Sequence, residues 1–178
     1  MTEHYEPVVR TTGTPAEPST AEVDAQWIAR AIELATANVA SGGGPFGALI
    51  VRDGGLIAEG QNRVTANLDP TAHAEVVAIR AACQSVGDFS LAGSTLYTSC
   101  EPCPLCLASS LWARLDAVVF AADRHAAAAA GFDDAAFHAL FDAAPDSGAW
   151  PLRREHHPTA RSEEPFDAWR ARLDRTAY

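Results

Sequence analysis

The spacing of apolar residues along the chain shifts between helical and strand-like several times, and each shift marks an element. Trp27, Ile28, Ala31, Ile32, Leu34 and Ala35 recur at helical intervals behind the capping pair Ser19 and Thr20, which predicts an amphipathic helix over 21–39. Ser41-Gly42-Gly43-Gly44-Pro45 ends it, and the apolar run from Phe46 to Val51 predicts a buried strand. Asp53-Gly54-Gly55 turns the chain back into a second strand over 56–60, making an antiparallel hairpin. Asn62 at the exit of that strand is either a turn residue or an amide facing a pocket. Asp69-Pro70-Thr71 opens a second helix that runs to about residue 85. The β-branched and aromatic run Ser94 to Thr98 predicts a third strand, and a helix follows from Cys103 to Ala113. Leu115 to Ala122 is continuously apolar, which predicts a strand covered on both faces. Asp133 or Asp134 caps a short helix over 135–141, and a proline-rich connection fills 142–165. A last helix over 166–173 sets Phe166, Trp169 and Leu173 on one face, and at that length it has to dock on something.

Strands alternating with helices predict α/β layers. Residues 1–20 lack this periodicity and hold Pro7, Pro15 and Pro18, so they are expected to form a mobile arm ahead of a single domain over 21–178. A hydrophobic share of 48% with 20% charged residues supports one packed core. Thirteen Lys and Arg against twenty-three Asp and Glu leave a net charge of -10, so a long nucleic acid is not an expected partner. Neither a signal peptide nor a run long enough to span a membrane stands out, which places the protein in the cytoplasm by expectation.

In a reducing compartment Cys83, Cys100, Cys103 and Cys106 are not expected to pair as disulfides. Three of them fall within seven residues, a spacing suited to a metal. His73 with Cys103 and Cys106 supplies one nitrogen and two sulfurs, so a tetrahedral zinc keeps its fourth position open for water. Glu75, two residues past His73, is then the candidate proton carrier. Cys100 is a rival fourth ligand, and with it the site would be closed and structural. Both ligand groups sit at predicted helix starts, where the helix dipole favours negative charge. Cys83 is expected in the core. The glycine run at 42–44 is no phosphate loop, since no Gly-Lys-Ser/Thr closes it.

The pairing of His73-Ala74-Glu75 with Pro102-Cys103-Pro104-Leu105-Cys106 is the signature of zinc deaminases. With Gly43 to Ala48, Gly60-Gln61-Asn62, Asn67 to Glu75, Tyr97 to Cys106, Trp112-Ala113-Arg114, Gly131-Phe132-Asp133-Asp134 and Pro165 to Arg170, the chain resembles the cytidine deaminase-like superfamily. Within it, the small bacterial guanine deaminases are the nearest in pattern. The resemblance implies a three-layer α/β/α sandwich on a mixed sheet of about five strands. It also implies zinc on His73, Cys103 and Cys106, with Glu75 carrying protons in the hydrolysis of guanine to xanthine and ammonia. Substrate contacts would come from Asn62, the main chain at Ala74, Phe46, Asp133 and, less directly, Trp112. A homodimer is implied in which 165–178 swaps onto the partner and brings Tyr178 over its site. One departure stands out: residues 126–130 are all alanine where these enzymes carry a second acid. Asp123, His125 and Asp133 are its candidate replacements. Guanosine, cytosine, an aminotriazine such as ammeline, or adenosine in transfer RNA are the alternative substrates. A zinc-stabilised binding protein without catalysis is the reading from a different class.

Overall fold

Two strands joined by the Asp53-Gly54 turn start the sheet: β1 spans Gly47–Arg52 and β2 Gly55–Gln61. The computed structural model describes residues 20–132, 134–142, 158–159, 161–174 and 176. Ahead of β1 lies α1 (Thr20–Ala40), and after β2 come α2 (Val64–Asn67), α3 (Ala74–Val86), β3 (Ser94–Cys100), α4 (Pro104–Trp112) and β4 (Ala117–Ala122). The helices α5 (Arg124–Ala129), α6 (Ala135–Asp142) and α7 (Glu164–Ala171) complete the described chain. Strand order is β2-β1-β3-β4, with β1 antiparallel to both neighbours and β4 parallel to β3. This register brings the start of β1 and the ends of β2 and β3 to one end of the sheet, and the site is built there.

Alternation along β1 divides the core. Leu49 and Val51 pack with Ala31, Leu34 and Tyr97 beneath α1, while Ala48 and Ile50 pack with Ala74, Ala78, Ile79 and Ala82 beneath α3. Helix, sheet and helix form three layers, as expected. The sheet has four strands among the described residues where the resemblance implied about five. Beyond β4, Asp123 caps α5 by accepting the Ala126 amide at 2.9 Å, and the alanine run after it takes the helical state that alanine favours most.

Other expectations need correction. β4 is not covered on both faces: it is the last strand of the sheet among the described residues, with Phe120 45% exposed and Ala121 and Ala122 open. An unbroken apolar run does not reveal whether its cover comes from the same fold. Cys83 is half-buried and packs at the margin of the core rather than inside it, its sulfur 3.7 Å from the Phe89 carbonyl. The last described helix, α7, ends at Ala171, so Leu173 lies beyond it at 99% exposed, while Phe166 on the helix is 57% exposed. The arm over 1–19 and most of the predicted connection, 143–157, lie outside the described residues. Among the described residues no helix is long and apolar enough to cross a membrane.

Two glycines let helices rest on bare backbone. A Cβ on Gly47 would stand 2.5 Å from the Ala31 carbonyl oxygen of α1, and one on Gly60 would stand 2.5 Å from the Ala78 nitrogen of α3 and still closer to Ala74. Backbone cannot step aside as a flexible side chain can. Gly60→Ala is therefore expected to destabilise the fold by about 2 kcal/mol, as overpacking does. That is roughly 4–8 °C in Tm for a domain of this size, read by thermal melting of the two proteins side by side.

Candidate active site

Between β2 and α3 the chain is tied down at each step. Arg63 donates its amide to the Ala72 carbonyl at 2.8 Å, and the Asp69 carboxylate accepts both the amide and the hydroxyl of Thr71, at 2.8 and 2.7 Å. His73 then becomes the N-cap of α3, and Cys103 holds the same position on α4, ahead of Pro104. Neither side chain caps its own helix. Both turn to each other instead, and the first-turn amides of two helices are left beside the site, a setting that favours negative charge.

His73 Nδ1 lies 3.5 Å from the sulfur of Cys103 and 3.5 Å from that of Cys106, and the two sulfurs are 3.6 Å apart. Tetrahedral zinc with ordinary Zn–N and Zn–S bonds requires ligand separations of about 3.4–3.8 Å. The donor set and its spacing therefore fit zinc. The charges agree. A hydrogen bond from Cys106 and contact with His73 push the Cys103 thiol down to about 4, while the bond to Cys103, burial and Glu75 push Cys106 up. The Cys103 sulfur also raises the His73 imidazole.

Glu75 is buried in the first turn of α3 and only 6% exposed. Desolvation, then the nearby Cys103 charge, pushes its carboxyl above the usual carboxylate range. Cys100 does not join the cluster, since its sulfur faces the Asp123 carbonyl at 3.8 Å. The protein offers three ligands among the described residues, and the closed four-ligand alternative loses its support.

Phe46 is half-buried, its ring meeting Phe132 edge-on at 5.0 Å between centroids. Asn62 donates its amide to the Phe46 carbonyl at 3.1 Å, and its side-chain oxygen accepts the Val64 amide at 3.3 Å. Ala74 is fully buried at the first position of α3. Trp112 stands apart: it closes α4, about 13 Å along the axis from Cys103, and lines a cleft with Val76, Ile79 and Trp169. Nine residues of helix carry it away from the ligands. Asp133 and Tyr178 lie outside the described residues. Of the suggested stand-ins for the second acid, Asp123 is engaged as a helix cap and His125 is exposed.

Sequence reasoning missed a pair. Asp134, just ahead of α6, and His138 in its first turn meet at 3.2 Å, and the charge of Asp134 acts on His73 and Cys100. Their spacing of four was a readable signal. Phe132 was also missed, although it lies inside the Gly-Phe-Asp-Asp stretch.

A buried glutamate beside one nitrogen and two sulfur donors is an arrangement that can hold zinc with a position open to water and exchange a proton next to it. Comparison with known proteins narrows it. The cytidine and deoxycytidylate deaminase zinc-binding region matches residues 21–122, so the chain belongs to that family. Guanine deaminase of Bacillus subtilis is 47% identical over 153 residues, spanning 85% of this chain and 97% of the relative. The crystal structure of guanine deaminase from Bacillus subtilis matches with a TM-score of 0.81 at 46% identity, over 86% of this chain and 98% of that one. A tRNA-specific adenosine deaminase of Haemophilus influenzae is 38% identical over 64% of this chain and 69% of its own.

Proposed function

We propose that this zinc-dependent deaminase acts on guanine, releasing xanthine and ammonia. The observation that carries the reading is the likeness to a guanine deaminase over nearly that protein's whole length. In the reaction water adds to the amino-bearing carbon of the purine; a C–O bond forms, the C–N bond to the amino group breaks, and ammonia leaves. His73, Cys103 and Cys106 would hold the zinc, which would supply Lewis acidity at the site. Glu75 moves the protons. It accepts one from the water, gives it to the adjacent ring nitrogen, and passes the next to the departing amine. Phe46 and Phe132 offer aromatic surface to the flat ring, and the Asn62 amide and Ala74 main chain address its polar edge. Asp134, paired with His138, stands in for the acid absent from residues 126–130.

The same reading includes a homodimer in the cytoplasm, with 165–178 of one copy laid over the other and Tyr178 closing the pocket. Its support is open apolar surface on and after α7, where Phe166 and Trp169 on the helix and Leu173 beyond its end are 57%, 40% and 99% exposed. The net charge of -10 argues against a transfer RNA substrate despite the likeness to a tRNA-specific enzyme.

Ammonia release from guanine, guanosine, adenine, cytosine, cytidine and ammeline tests the proposal, using zinc-replete protein. Guanine is expected to be turned over fastest. A faster rate on any other compound overturns guanine as the substrate and points to residues 126–130 as the place where specificity diverged.

A further inference from the structure

Asn38, in the last turn of α1, is 1% exposed and lies far from the zinc ligands in sequence. Its side-chain nitrogen donates to two carbonyls at once: Gly44 at 2.8 Å and Asn62 at 2.9 Å. The first belongs to the loop leading into Phe46, and the second to the residue at the exit of β2. Asn38 Oδ1 is buried and accepts no hydrogen bond among the described residues. An amide whose acceptor is idle is held there for its donors. The two carbonyls also settle which end is nitrogen, since a flipped amide would set three oxygens together.

The surroundings are built around this contact. The Asn38 carbonyl accepts the Gly43 amide at 2.9 Å, and a Cβ on Gly43 would come within 2.6 Å of Asn38 Oδ1. A Cβ on Gly44 would meet the Asn62 side chain at 3.2 Å. The glycine run that reads in sequence as a mere helix stop thus gives Asn38 access to two strands' ends. A neighbouring bond works alongside it, Gln61 Nε2 donating to the Leu34 carbonyl of α1 at 2.8 Å.

We infer that Asn38 is the positioning residue of the substrate pocket: it clamps the loop before Phe46 to the exit of β2 and so sets the spacing between the aromatic wall and the Asn62 amide. It touches neither substrate nor metal. This inference rests on the reading of Phe46 and Asn62 as substrate contacts, and it concerns substrate affinity rather than chemistry.

Asn38→Asp keeps the shape and removes the donors; Asn38→Ser is the second variant, smaller and still able to donate once. Tyr97→Phe is the control, deleting the 2.7 Å bond to Asp24 under α1 without touching the pocket. Kinetics use whichever compound of the substrate panel wild type prefers. For both Asn38 variants KM is expected to rise about tenfold or more, with kcat changed by less than about threefold, as for lost uniform binding. Zinc content stays at wild type. Hydrogen exchange at the Phe46 and Asn62 amides is expected to speed up in both, and not in Tyr97→Phe; this readout needs no substrate, so it stands if the guanine reading fails. Unchanged exchange at those amides overturns the inference. So does a rise in KM for Tyr97→Phe matching that of the Asn38 variants, which would make the effect one of general stability.

Discussion

Glu75→Gln is expected to hold zinc at the wild-type level and to lose turnover by about a thousandfold, the middle of the range for removing a general acid–base group. The substitution keeps volume and polarity in a site that leaves Glu75 only 6% exposed, so packing is preserved while the proton acceptor is gone. A neutral amide is also cheaper to bury than a carboxylate. Tm is accordingly expected to stay level or rise, which separates this variant from one that is inactive because it is damaged. The measurements are ammonia release, zinc by mass spectrometry and thermal melting. Turnover near wild type would remove Glu75 from the mechanism.

Cys106→Ser is expected to abolish zinc retention and activity together. Its sulfur is fully buried and lies within 3.6 Å of both other ligand atoms, so no neighbouring donor can replace it among the described residues. Zinc affinity is expected to fall by at least about a thousandfold, a modest share of the 10–16 kcal/mol that such ligand sets contribute when they fold around the ion. Cys100→Ser is the matched control. It deletes another buried thiol three residues from Cys103, but one that faces the Asp123 carbonyl, and it is expected to keep full zinc. Competition with a chromogenic chelator ranks the three proteins. Zinc loss from the Cys100 variant equal to that of the Cys106 variant would restore the closed four-ligand site.

The chemistry was legible in the sequence because it is short-range. His73 with Glu75, and Cys103 with Cys106, each sit within one turn of a helix start, so each pair is close in the chain and needs no distant partner to be recognised. The strand and helix order was legible for the same reason. What stayed hidden depends on neighbours distant in the chain. Asn38 reads as one polar position in an amphipathic helix, because its partners are backbone carbonyls 6 and 24 residues away that carry no mark in the sequence. The cover of β4 was misjudged because an apolar run has the same composition at a sheet edge as in its centre. Cys83 was placed too deep on composition alone. The Asp134–His138 pair was within reach of a spacing argument, but the neighbouring Asp133 took the reading instead.

Gly60 also bears on how such an enzyme can diverge over generations. At Gly60 the first turns of α3 lie directly on the backbone of β2, so the accumulation of larger or smaller residues that slowly reshapes most cores has little to act on at that crossing. The seat of the helix turn that carries Glu75 is insulated from drift. A lineage built this way can vary the residues around its pocket while that helix turn keeps its place.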